Sequence, residues 1–250
     1  KIGEVNFRAS GNFMFARNKV LFMDETPWGE GHEYMNETGG PMGAGLQYRA
    51  IGIFRDQAAL DSYPHLDAAR PGDLIFEDVD GDGKITSLDR VRQNLTGFPE
   101  IIFGLNLSAD WKNFDISVLF QGQARAVKDV ISRMDATSNF YKWRAEDRWT
   151  EDNIDGTMPR AGGTINYGVE NPCSFWTQNA SFVRLKNLEI GYTLPNLWFN
   201  KLRISNCRVY LSGQNLFALD HIKYVDPEGS GEGSYYPQMR IFNIGCNLTF

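Results

Sequence analysis

The sequence predicts an all-β fold whose antiparallel strands have the length and patterning of a membrane-barrel wall. Three observations carry this. Apolar and polar side chains alternate with a period of two over segments of about ten residues. Connections switch between tight turns and loops longer than about 15 residues, which is unusual in a compact domain and habitual in outer-membrane barrels. Aromatic residues stand near the strand ends (Trp111, Phe114, Tyr192, Phe217, Phe250), where barrels carry their interfacial girdles.

The first strand spans about 1–16, with Val5, Phe7, Ala9, Gly11, Phe13 and Phe15 alternating against Glu4, Asn6, Arg8, Ser10 and Asn12. A weaker strand covers about 44–54. A hairpin follows: Ile101, Phe103, Leu105, Leu107, Ala109 and Trp111 in a strand at 100–111, a turn at 112–113, then Phe114, Ile116, Val118 and Phe120 in a strand at 114–124. The strand at 181–194 slips phase, from Val183 and Leu185 to Leu188, Ile190, Tyr192 and Leu194. One inserted residue near Lys186-Asn187, a β-bulge, repairs the register. Cys207, Val209 and Leu211 mark a strand at 202–215, and Phe242, Ile244, Cys246, Leu248 and Phe250 mark the last, 238–250.

That gives seven strands, with tight turns at 112–113 and 196–201 and long loops at 55–99, 125–180 and 216–237. The stretch 17–43 stands where a turn belongs and is too long for one. Single-chain bacterial barrels have an even strand number, so seven means either a miscount or part of a larger barrel. A soluble β-sandwich also alternates, its apolar face turned into a core. Period alone leaves barrel and sandwich both open.

Composition excludes several classes. The 250 residues are 42% apolar with a net charge of −6, too apolar for a disordered chain and too acidic to suggest a nucleic-acid binder. No apolar run approaches the ~18 residues of a membrane-spanning helix. The chain opens on Lys1 rather than Met and has no signal peptide, which reads as a processed or truncated piece. Cys173, Cys207 and Cys246 form no C-x-x-C, and His32, His65 and His221 form no ligand pair. The nucleophile-elbow, zinc-protease and phosphate-loop motifs are all missing, so no enzyme is expected. Glu146, Asp147, Glu151 and Asp152 read as a solvated face rather than a glycosidase carboxylate pair.

One local motif carries a mechanism. Asp78-Val79-Asp80-Gly81-Asp82-Gly83-Lys84-Ile85-Thr86-Ser87-Leu88-Asp89 matches the 12-residue calcium loop. Asp78, Asp80 and Asp82 would coordinate through side chains, Lys84 through its carbonyl, Thr86 through a water, and Asp89 at position 12. Oxygen donors without nitrogen or sulfur favour Ca²⁺. Leu74-Ile75-Phe76 before it reads as extended, so the ion would be structural rather than the trigger of a helix-opening sensor. Loop aromatics Tyr141, Trp143, Trp149, Tyr167, Tyr235 and Tyr236 are candidates to stack on cargo, with packing inside the loops preferred for any single one. Inward polar residues (Glu4, Arg8, Asn106, Asp110, Arg208, Gln214, Asn243, Asn247) would line a lumen or contact a plug.

Several segments resemble the C-terminal region of SusC/RagA-type TonB-dependent outer-membrane transporters of Bacteroidetes. They are Asn18-Lys19-Val20-Leu21, Pro71-Gly72-Asp73-Leu74, Phe175-Trp176, the run Ala180 to Pro195, Arg208-Val209-Tyr210-Leu211-Ser212-Gly213-Gln214-Asn215-Leu216-Phe217, then Tyr236-Pro237-Gln238 and Arg240 before the terminal strand. They fall in the family's order over nearly the whole chain; the cysteines at 207 and 246 depart from its pattern. The resemblance implies the C-terminal part of a barrel of about 22 strands with long extracellular loops, and a plug upstream of Lys1. It implies import of oligosaccharides or peptides, a SusD-like surface lipoprotein, and a TonB complex acting through that missing N-terminal region. The wall would face membrane lipid, and Phe250 resembles the signal read by the barrel-assembly machinery. The rival is a secreted, calcium-stabilised β-sandwich acting as a glycan-binding or adhesion module.

Overall fold

The computed structural model describes residues 3–130, 142–162, 171–195, 204–223, 225–229 and 238–250. In chain order, β1 (Val5–Phe15) precedes four short strands, β2 (Leu46–Tyr48), β3 (Ala50–Ile53), β4 (Leu74–Phe76) and β5 (Arg90–Arg92), with the helix α1 (Gln57–Ser62) between β3 and β4. The hairpin of β6 (Ile101–Trp111) and β7 (Phe114–Ala124) leads to β8 (Val127–Asp129), the short helix α2 (Lys142–Glu146) and β9 (Thr177–Asn179). Three long strands close the chain: β10 (Phe182–Thr193), β11 (Asn206–Asp220) and β12 (Ile241–Thr249).

The long strands form one six-stranded sheet in the order β1-β6-β7-β10-β11-β12, every pair antiparallel. Register assembles the faces. Phe7 lies opposite Ala109, Ala109 opposite Ile116, Ile116 opposite Ile190, Ile190 opposite Leu211, and Leu211 opposite Ile244. The apolar phases of all six strands therefore share one surface, and it is bare: Ile244 is 86% exposed, Phe13 70% and Phe242 68%. A sandwich would cover such a face with a second sheet. Among the described residues the other sheets are two-stranded pairs, β2-β5, β3-β4 and β8-β9, and the sandwich reading does not survive. The 11 residues of β1 rise about 33 Å at ~3.3 Å each, which a tilt near 40° turns into a band of about 25 Å, the height of a barrel's apolar belt.

At one end of this face Trp111 stacks on Phe114 at 6.3 Å and Phe114 lies 4.6 Å from Tyr192. The β6–β7 turn sits at the same end, with Lys112 at φ +53. The bulge falls between Leu185 and Asn187, where the phase slip demanded it. Lys186 is the inserted residue against β7, and across β11 two residues, Asn215 and Leu216, oppose it.

Three expectations are corrected. The segment 44–54 is not a wall strand. It splits at Arg49 into β2 and β3, which pair with β5 and β4, and its side chains Tyr48 and Ile53 are buried in a core rather than facing outward. Alternation is the same whether the covered side meets lipid or protein, so period could not separate the two. With that strand removed, residues 16–100 form a single long loop, and the misfit of 17–43 disappears. The wall has six strands, so the odd-number argument fails. The open β1 and β12 edges, not parity, mark a partial barrel. Finally, β11 runs on to Asp220, because the bulge at Asn215-Leu216 interrupts the alternation and Phe217 and Leu219 then resume it on the apolar face. The expected turn at 196–201 lies outside the described residues.

All three long loops rise from the end opposite the β6–β7 turn and pack together. Their core is Tyr48, Ile53, Leu74, Phe76, Ile85, Val130, Cys173, Trp176 and Ile222. Tyr48 stacks on Phe76 at 4.6 Å, and burial pushes the Cys173 thiol up to about 11. The hinge between loops is the Pro71-Gly72-Asp73 turn. Asp73 is fully buried and takes the Arg160 guanidinium at 2.6 Å and 3.2 Å. Gly72 has φ +88, and a Cβ there would lie 2.6 Å from Trp149 Cδ2 and 2.8 Å from Arg160 Cβ.

Candidate functional site

Three groups of polar residues stand out. The first is the acidic loop between β4 and β5. Asp78, Asp80 and Asp82 each offer one carboxylate oxygen, and the three lie within 4.8 Å of one another. Backbone N–H groups hold them there: those of Gly81 and Gly83 donate to Asp78 at 2.9 Å and 3.0 Å, that of Asp82 to Asp80 at 3.1 Å, and that of Lys84 to Asp82 at 2.8 Å. Gly81 and Gly83 take φ +74 and +82, the tight backbone that only glycine adopts without strain. His32 Nε2 lies 3.4 Å from Asp80 Oδ2. Burial, and then the charges of Asp80, Asp89 and Asp78, push the neighbouring Tyr34 phenol up.

Asp89 is not brought into that group. It is fully buried, and its two oxygens accept the N–H groups of Val79 at 2.8 Å and Thr86 at 2.7 Å. Thr86 Oγ1 in turn accepts the Leu88 N–H at 3.1 Å, completing a capping box on the short 3₁₀ turn Ser87–Asp89. One methylene shorter than the usual Glu, this carboxylate closes the loop from inside. The residues present suit a hard cation through three carboxylates and the Lys84 carbonyl, with Asp89 fixing the loop's exit.

The second group covers the polar face of the sheet. Arg208 donates to Asp115 (2.9 Å from Nε) and to Glu189 at 2.7 Å, crossing three strands. Arg8 pairs with Asp110 at 3.1 Å, and Lys112 with Glu4 at 3.6 Å. Asn106, Gln214, Asn243 and Asn247 occupy the same face by register. Each of these cations is paired with at least one carboxylate, as suits a surface facing a hydrated lumen or plug.

The third group ties the loops to the wall. Glu100 receives Arg17 at 2.7 Å and 3.0 Å and Arg125 at 2.5 Å. The two guanidiniums hold its carboxyl down at about 2, that of Arg17 first. Arg184, only 4% exposed, donates to Asp226 at 2.6 Å and pairs with Glu228 at 3.2 Å, and Lys186 joins Glu228 at 2.8 Å. Lys128 reaches the Asp226 carbonyl at 2.9 Å and the Gly229 carbonyl, and burial lowers its affinity for the proton.

Of the candidate stacking aromatics, Trp149 is engaged in packing. It covers Gly72 and its indole N–H donates to the Arg55 carbonyl at 3.1 Å. Trp143 lies in α2, its side chain outside the described residues, as are Tyr141, Tyr167, Tyr235 and Tyr236. Phe250 is 81% exposed beyond β12. The clamps at Asp73, Glu100 and Arg184 were not found from sequence, since salt-bridge partners 25 to 87 positions apart leave no local pattern; the Pro71-Gly72-Asp73 string was the one available signal.

No protein-family model matches the chain. It is 31% identical over 232 residues to the TonB-dependent receptor P26 of Formosa agariphila, covering 84% of the chain and 22% of that receptor. It is 28% identical over 280 aligned positions to receptor P3 of the same organism, covering 98% and 27%. It is 26% identical over 231 residues to the TonB-dependent receptor SusC of Bacteroides thetaiotaomicron, covering 89% and 22%. Among solved structures, the RagAB peptide transporter matches with a TM-score of 0.68 at 22% identity, over the whole chain and 27% of that protein. The RagAB peptide importer in its closed-closed state gives 0.68 at 23% identity, covering 28%. The chain thus spans about a quarter of the length of these relatives. With its open six-stranded wall, bare apolar face and packed loops, it belongs to the SusC/RagA-type TonB-dependent receptors, integral proteins of the outer membrane, and makes up one part of such a receptor.

Proposed function

We propose that the chain is the C-terminal stretch of wall and loops of an outer-membrane importer, energised through TonB, that takes up oligosaccharides or peptides together with a SusD-like surface lipoprotein. The observation that carries this is the single-layer sheet, one face bare and apolar, the other lined by paired charges, with a packed loop unit at one end only. The β6–β7 turn then lies in the periplasm and the loop unit outside the cell, where it meets cargo and lipoprotein. The relatives named as receptors and the RagAB structures named as peptide transporter and importer support the reading. No bond-making chemistry is assigned to it. The loop of Asp78, Asp80 and Asp82 holds a structural Ca²⁺.

The test is uptake of labelled oligosaccharide and peptide pools by cells carrying the full-length receptor. Uptake that requires TonB and fails when the adjoining lipoprotein gene is deleted supports the proposal. A receptor that remains soluble after removal of membranes, or uptake unaffected by loss of TonB, overturns it.

A further inference from the structure

The second and third long loops line an open cavity of about 290 Å³ with the apolar side chains of Val130, Met158, Phe175 and Trp176 and the polar ones of Thr157, Gln178, His221 and Lys223. Half of the lining is apolar. Phe175 meets Trp176 edge-on at 4.8 Å, and Trp176 is 4% exposed, so its ring offers no open platform for a sugar to stack on. Space bounded this way takes an aliphatic or aromatic side chain, at a size just under the usual range of small-ligand sites.

Several cations around these loops are already tied down. Arg160, Arg184, Lys186 and Lys128 are all engaged by carboxylates or carbonyls. Lys223 has its backbone fixed, its N–H donating to Gln178 Oε1 at 2.9 Å. Its ammonium and the His221 ring have no carboxylate partner among the described residues, and both residues line the cavity. An apolar lining beside a cation with no carboxylate partner among the described residues fits a short apolar chain that ends in a carboxylate. The ties from Arg184 and Lys186 to Asp226 and Glu228 fold this third loop over the polar, lumen-side face of the wall, which places the cavity beside the route inward.

We infer that the cavity is a cargo subsite for the carboxyl-terminal residue of a peptide, an apolar side chain seated on Met158 and Phe175 with its terminal carboxylate held by Lys223 and His221. The inference rests on the importer reading and narrows its cargo to peptides.

The experiment uses the full-length receptor purified with its lipoprotein, and calorimetric titration of short peptides ending in Leu or Phe, each as free acid and as C-terminal amide. The free acids bind at least tenfold more tightly than the amides. Lys223→Gln abolishes that preference and leaves the affinity for amides unchanged, while Met158→Trp, which fills the cavity, weakens both forms at least tenfold. The heat-modifiable gel mobility of each variant reports whether its barrel is intact, and Met158→Leu, which keeps the volume, retains binding. A free-acid preference that survives Lys223→Gln, or binding that survives Met158→Trp, overturns the subsite. A receptor that imports oligosaccharides and binds none of the peptides overturns the subsite and leaves the importer standing. A receptor that imports nothing overturns the importer reading itself.

Discussion

The turn that joins two of the long loops offers a quantitative test of packing against backbone strain. Gly72 sits at φ +88, and a Cβ there would fall 2.6 Å from Trp149 Cδ2 and 2.8 Å from Arg160 Cβ. Gly72→Ala therefore incurs two costs. The left-handed conformation costs an L-residue about 1–2 kcal/mol, and forcing a methyl into a filled site costs about 1–3 kcal/mol more. Gly39 isolates the first cost, since it has nearly the same φ, +95, with nothing within 4 Å of its Cβ position. Gly39→Ala should lose only the conformational part. The assay is hydrogen exchange in the full-length receptor. Each variant is read at its own turn: Gly72→Ala at the amide of residue 72, bonded to the Phe54 carbonyl at 2.6 Å, and at that of Arg160, bonded to the residue-72 carbonyl at 2.8 Å; Gly39→Ala at the amide of residue 39, bonded to the Val20 carbonyl at 2.8 Å. Amides of β6 and β7 serve as the internal reference. The difference between the variants, about 1–3 kcal/mol, corresponds to roughly 5- to 150-fold faster exchange at that turn in Gly72→Ala. Equal protection in the two variants refutes the claim that Trp149 and Arg160 pack on this turn.

Three further outcomes are expected. The Glu100 clamp has a carboxyl held at about 2 by Arg17 and Arg125; its folded value lies below its unfolded one, so the stabilisation is complete above about pH 4.5 and fades only as the pH falls towards 2. Proteolysis of the loop bases should thus be unchanged from pH 7 to 5 and rise below 4, and Glu100→Gln should remove that dependence. Replacing Asp80 by Asn should abolish Ca²⁺-dependent protection of residues 78–89 from protease, whereas chelation leaving the wild-type loop as protected as before contradicts the structural ion. Lys112 holds φ +53 in the β6–β7 turn, so Lys112→Gly, which removes the left-handed strain at some cost in chain entropy, should stabilise the hairpin by about 0.5–1 kcal/mol, measured as a raised unfolding temperature; a lowered one would mean that the Lys112 side-chain contacts outweigh the turn.

The wall was readable in sequence because lipid and lumen impose opposite chemistry on adjacent residues. Phe242, Asn243, Ile244 and Asn247 already state which side is which, and the slip from Leu185 to Leu188 locates the bulge. What sequence could not supply was the meaning of a short alternating run. Leu46 and Tyr48 alternate like wall residues, yet Tyr48 and, further on, Ile53 enter a protein core, because three or four residues cannot cross a membrane and burial against loops selects the same side chains. The loop clamps escaped notice for a different reason: Asp73 and Arg160, or Arg184 and Asp226, meet only after the loops fold. The acidic loop was legible as a motif, but the inward turn of Asp89 followed from capping geometry that a ligand pattern does not encode.

The central claim is that the six-stranded sheet is membrane wall with lipid on the face of Ile244 and an aqueous lumen on the face of Asn243. Site-directed spin labelling along β12 tests it most directly, with the full-length receptor in lipid vesicles, native cysteines replaced, and labels placed singly from 242 to 248. Oxygen accessibility should peak at 242, 244, 246 and 248, and accessibility to a water-soluble relaxant at 243, 245 and 247. Labels at the even positions shielded from both reagents, as beneath a second protein layer, would contradict the account.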